Sequence, residues 1–108
     1  MTQTSTSLVE DHESLCSEAL HLMVRKNQDY TGVSNDPFFN FKGSLSLGIH
    51  PVMGILLRMQ DKMQRVRSYT ERGSLSVHDE GVRDSIIDLI NYSVLMYGLV
   101  KESDAETN

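Results

Sequence analysis

The chain has one cysteine, Cys16, so no internal disulfide can form. It has no lysine/arginine cluster, and its net charge is −5. Nucleic-acid binding depends on neutralising phosphates with such residues, and this composition does not favour it. No apolar run reaches the ~18 residues that span a membrane. The opening MTQTSTSLVEDHES lacks the basic start and apolar core of a signal peptide. These absences point to a cytoplasmic protein with no nucleic acid and no membrane among its partners. Familiar catalytic signatures are missing too. There is no Gly-rich phosphate loop and no supportable Ser/His/Asp set. His12, His21, His50 and His78 show no metal-ligand spacing to one another or to Cys16.

What remains is one all-α domain of 108 residues, with no internal repeat and no convincing strand. Residues 1–6 are polar and expected to fray. Leu8, Leu15, Ala19 and Leu22 then mark a first helix from Ser7 to about Lys26 or Asn27. Cys16 falls on its apolar side and reads as a small core residue. The stretch Gln28 to Gly43 breaks the period with Gly32, Asn35, Asp36, Pro37 and Asn40. A loop of ~15 residues inside a compact domain is often functional. Its aromatics, Phe38, Phe39 and Phe41, predict that it packs down and stays ordered. Ser44 to Ile49 reads as a short helical turn. Pro51 suits the start of a second long helix ending near Gly73. Ser76 reads as the cap of a third, over about Val77 to Lys101, with Asp79 completing a capping-box variant. Residues 7–101 thus form a single helical domain: three main helices in a bundle, with a long ordered loop after the first. The tail, 102–108, is expected to be disordered.

The third helix carries two apolar stripes. One is Val82, Ile86, Leu89, Ser93, Tyr97 and Val100; the other is Ile87, Ile90, Val94 and Leu95. A helix apolar on two sides is buried on two sides. Two partner helices can cover only part of it, which predicts a homo-oligomer, a dimer or higher. Gly54 and Gly98 cost helix propensity, and close helix packing would explain them.

Two charged blocks carry the candidate chemistry. On the second helix, Arg58, Asp61, Lys62 and Arg65 share a face, and Asp61 can pair with Arg58 or Arg65. On the third, Glu80, Asp84 and Asp88 recur every four residues, and Asn91 continues the line. Stacked acids repel, and a divalent cation relieves that. Mg2+ uses one or two carboxylates with waters and substrate phosphates, and Asp61 could join such a site. Asp88 sits between Ile87 and Leu89, so it should be partly buried and need a partner: a metal, Arg58, Lys62 or Arg83. At the end of the first helix, KNQDYTG offers Lys26 for a phosphate, Asp29 for a sugar or metal, and Tyr30 for stacking. DPFFNF, Asp36 to Phe41, could wall a base pocket or plug the bundle end. A solvated ion-pair face also accounts for the second-helix block, at a few tenths of a kcal/mol per pair.

Taken in order, KNQDYTG, DPFFNF, GILLRMQDKMQR and DEGVRDSIIDLINY resemble the nucleotide modification associated domain of many phage proteins. That group is similar to the MazG-like all-α nucleoside triphosphate pyrophosphohydrolases. The resemblance spans roughly Leu20 to Val100. It implies an oligomeric nucleotide-binding fold, commonly dependent on Mg2+, in a host bacterial cytoplasm. In the MazG-like pattern an ExxE pair precedes an ExxD pair. Arg58 and Asp61 fall at the first, Glu80 and Asp84 at the second. The departures are Arg58 in place of an acid, and an ExxxD spacing. The resemblance implies Asp61, Glu80 and Asp84 as catalytic residues, and the same three with Asp88 as metal ligands. It implies Lys26, Lys62 and Arg65 on phosphates, and Asn27, Asp29, Tyr30 and Asn40 near sugar or base, with Phe41, Arg58 and Asn91 completing the pocket. Two functions follow as expectations. One is Mg2+-dependent hydrolysis of a nucleotide phosphoanhydride. The other is a non-catalytic sponge for a nucleotide second messenger of host immunity, which the added cation at Arg58 favours.

Overall fold

The computed structural model describes residues 3–30 and 38–107, without the side chains of 27–30, 39, 40, 44 and 107. Helix α1 is Ser5–Tyr30, α2 is Phe39–Lys42, α3 is Pro51–Glu71 and α4 is Glu80–Thr107; a 3-10 helix covers Gly43–Leu47. Among the described residues there is no strand. The all-α reading and the three main helices hold.

The helix ends follow local chemistry, and several differ from the sequence reading. The α1 start lies at Ser5, because the Thr4 hydroxyl accepts the Ser7 N–H at 3.1 Å. Its end lies at Tyr30, so the expected loop begins later than Gln28. At α3, His50 Nδ1 accepts the Val52 N–H at 3.1 Å and Pro51 takes the first turn. Gly73, at φ 68°, turns the chain just after that helix, as expected. The α4 cap is Asp79 rather than Ser76: its Oδ1 accepts Gly81 N–H at 2.8 Å and Val82 N–H at 3.3 Å. Ser76 Oγ instead accepts the His78 N–H at 3.1 Å, in a turn before the helix. At the other end, α4 continues to Thr107 through the tail expected to be disordered. Lys42 holds Glu102 there at 2.6 Å.

α4 is the central element. Both α3 and α1 pack against it, and among the described residues no Cα of α1 comes within 8 Å of one of α3. The two apolar stripes of α4 are covered in part: Val82 and Ile87 are buried, while Val94, Tyr97 and Val100 stay exposed. The core is small: Ala19 of α1, Ile55 of α3, and Val82, Ile87 and Leu99 of α4. Ser85 is also buried, with its hydroxyl donating to Gly81 O at 2.8 Å. Outside it, Met53, Leu57, Met63, Val94 and Tyr97 stay exposed, Tyr97 by 71%.

Gly98 is required by a close approach to an aromatic ring, whereas the space around Gly54 would accept a side chain. A Cβ on Gly98 would lie 2.7 Å from the Phe38 ring, and one on Gly54 would lie 3.9 Å from Phe41. These glycines face aromatics from the segment around α2. Phe38 and Phe41 are half-buried, so this end of the expected loop packs down as its composition predicted. Residues 31–37 lie outside the described residues. Cys16 is half-exposed, and its sulfur lies 3.6 Å from His12 Nδ1. One helical turn brings these two together, a spacing the sequence reading passed over.

Candidate functional site

α1 crosses α4 near Ala19, and polar contacts fix the crossing. Asn91 donates its side-chain N–H to the Ala19 carbonyl at 3.0 Å. Arg83 of α4 pairs with Glu18 of α1. Beside this crossing is an open groove of about 260 Å³. Glu18, Leu22 and Arg25 of α1 form one wall; Asp84, Ile87 and Asp88 of α4 form the other. On each helix these residues recur at three- and four-residue steps, so one face of each is presented.

α3 contributes Lys62. Its Nζ meets Asp88 Oδ2 at 2.9 Å, with the two side chains 18% and 20% exposed. The sequence required a partner for Asp88 and allowed a metal, Arg58, Lys62 or Arg83; the structure pairs it with Lys62. The low exposure distinguishes this pair from surface decoration, since a carboxylate this enclosed is costly to leave unpaired.

The remaining candidates divide. Asp84 is exposed in the groove, with no ion-pair partner among the described residues. Glu80 is exposed in the first turn of α4 and does not line the groove. Asp61 is exposed, and neither of the pairs its spacing allows, with Arg58 or Arg65, is formed. Arg58 lies over the Phe41 ring instead, 5.2 Å from its centroid, a cation–π arrangement. Arg65 and Lys26 are exposed. Asn91 is occupied in holding α1. The side chains of Asn27, Asp29, Tyr30 and Asn40 lie outside the described residues. Among the described residues, no group of three or more His, Cys, Asp or Glu is gathered to hold a metal ion. The four carboxylates Asp61, Glu80, Asp84 and Asp88 therefore do not form one cluster here. Asp84 and Asp88 alone share the groove.

Sequence reasoning missed Glu18, Leu22 and Arg25. Their common helical face was available in the sequence. That this face lies against Asp84 and Asp88 was not, because it depends on how α1 crosses α4.

The groove thus carries paired and unpaired charges on two helices. No curated protein and no solved structure matches the chain. The family model described as nucleotide modification associated domain 1 matches residues 26–99, which include α3 and the groove wall that α4 supplies. By that match over more than half its length, the chain belongs to the nucleotide modification associated domain 1 family.

Proposed function

We propose that the chain binds a phosphorylated nucleotide in the α1–α4 groove and, with Mg2+, hydrolyses a phosphoanhydride bond, in the manner of MazG-like enzymes. The observation that carries this reading is the groove itself: Asp84 and Asp88 open into one cavity, with Lys62 at Asp88. The donor set fits Mg2+ in its sparing mode, in which one or two carboxylates suffice and phosphates and water supply the rest. Asp84 and Asp88 would hold the ion, with Glu80 and Asp61 outside the groove. The ion supplies Lewis-acid polarisation and a water of lowered pKa. Of the chain's own cations on α3, Lys62 contributes charge stabilisation from beside Asp88, just outside the lining, whereas Arg58 and Arg65 do not line the groove. Leu22 gives the groove an apolar part on which a sugar or base can rest.

A second reading is sequestration without cleavage, the sponge of an anti-defence protein. The Lys62–Asp88 pair favours it, because a resident cation already neutralises one of the two carboxylates that would hold the metal. Arg58, held over Phe41, adds a further positive group where a hydrolase pattern has an acid.

Self-association also belongs to this reading. The apolar side chains left exposed on α3 and α4 support a second copy covering them. A phage origin, and a host bacterial cytoplasm as the place of action, complete the proposal.

The test incubates the pure protein with nucleoside triphosphates, cyclic dinucleotides and ADP-ribose compounds, with and without Mg2+. Products are separated before and after heat denaturation. Release of monophosphate and pyrophosphate only with Mg2+ is the expected result. Intact ligand recovered only after denaturation would establish the sponge instead. Neither turnover nor retention would remove the nucleotide reading altogether.

A further inference from the structure

We propose that Arg25 is the phosphate anchor of the groove, and that a ligand caught there fastens α1 onto the rest of the molecule. This rests on the nucleotide reading above and goes beyond it. The sequence motifs pointed to Lys26, and the family match begins at Lys26, so Arg25 lies outside both.

The charges around the groove single it out. Among the described residues three carboxylates line it: Glu18, Asp84 and Asp88. Glu18 is paired with Arg83 and Asp88 with Lys62, both cations from outside the lining. Two of the three acids are thereby compensated. Among the described residues Arg25 is the cation within the lining, and no carboxylate is paired with it. Its neighbour Lys26 lies about 100° further round the helix and is not part of the lining. A guanidinium holds a phosphate through two parallel N–H donors, a geometry that an ammonium cannot copy.

The architecture gives this contact a mechanical consequence. Among the described residues the backbone of α1 approaches that of α4 and of no other helix, through the Ala19 crossing, Asn91 and the Glu18–Arg83 pair. Arg25 lies beyond that crossing, toward the end of α1. A phosphate held by Arg25, and at the same time by an Mg2+ ion that Asp84 and Asp88 of the α4 wall would hold, adds a tie where α1 has few. Ligand binding should then suppress opening of α1 from α4, the kind of local event that amide exchange reads.

The experiment uses the full chain and its Arg25→Ala, Arg25→Lys and Lys26→Ala variants. Pyrophosphate and deoxynucleoside triphosphates serve as probes, each with and without Mg2+. Binding is followed by calorimetry, and amide exchange is measured over residues 15–26. Arg25→Ala should weaken binding of whichever probe the unaltered chain binds by about tenfold, the loss expected for one charged hydrogen-bonded contact. Arg25→Lys should fall between, and Lys26→Ala should stay within about twofold of the parent. Probe-induced protection of residues 15–26 should appear in the parent and vanish in Arg25→Ala. Arg25 is exposed, so circular dichroism melts should show all variants folded alike. Parent binding with Arg25→Ala unchanged, or a larger loss in Lys26→Ala, would overturn the anchor and leave the nucleotide reading standing. No binding of any probe by the parent would remove both.

Discussion

Lys62 and Asp88 show what one residue pair contributes here. In the sequence each belongs to a run of charges, and most such runs are solvated. In the fold their heads meet at 2.9 Å between α3 and α4, with four fifths of each side chain covered. Removing the lysine leaves an enclosed carboxylate with no cation. Lys62→Ala should cost about 1–2 kcal/mol in urea unfolding. The double variant Lys62→Ala/Asp88→Ala should cost clearly less than the sum of the singles, since the two residues interact directly. Strict additivity would show that the pair contributes nothing. Asp79 is a second residue with a distinct task, holding two N–H groups at the α4 start. Asp79→Ala should lower stability by about 1 kcal/mol, whereas Ser76→Ala should lose less, because its hydroxyl serves a turn outside the helix. Equal losses would return the cap to Ser76.

Among the described elements, the backbone of α1 approaches that of one other helix, α4. Ala19 is 1% exposed where it crosses α4, and its carbonyl accepts from Asn91. A larger side chain there must push the helices apart. Ala19→Leu should destabilise by about 1–3 kcal/mol and raise amide exchange across α1 while leaving α3 protected. Equal loss of protection in α3 would mean that the helices unfold as one unit. The far end of α4 shows another property of elements. The residues of ESDAETN are polar enough to read as a tail, yet the helix carries on through six of them, to Thr107. Lys42 pairs with Glu102 and also lies 5.9 Å from the Phe38 ring centroid, so α2 and the end of α4 share contacts. An extended helix can be stabilised by such tertiary contacts where local propensity alone is marginal.

At the scale of the whole molecule, the core is thin for the apolar surface on offer. Ile55, Val82, Ile87, Leu99 and Ala19 are buried, while Leu47, Leu57, Val94 and Tyr97 are each more than half exposed. Small domains bury a lower share of their surface, and association is one remedy. Light scattering on the pure protein should therefore give a mass of at least two chains. Tyr97→Glu combined with Val94→Glu should reduce it to one while the helical signal persists. A monomer at every concentration would end the oligomer proposal. Apolar periodicity made the three helices legible, because burial of a helix face needs residues at fixed steps. The order of the four motifs made the family legible. The groove was only half legible. Asp84 and Asp88 stood out as stacked acids, but Glu18 and Arg25 did not, since no local pattern marks a helix face that will meet another helix far along the chain.

The sequence by itself determined an all-α domain, where its three long helices lie, and membership of a nucleotide-associated family. Each follows from spacing or motif order, which need only the chain. Tertiary structure decided which charges meet. It gave Asp88 to Lys62, Glu18 to Arg83 and Asn91 to the Ala19 carbonyl. It also kept Asp61 and Glu80 out of the groove that Asp84 and Asp88 share. The physical reason is that polar contacts between helices depend on crossing angle and rotation. Both are set by how small and large side chains pack at the crossing, a property of no single segment.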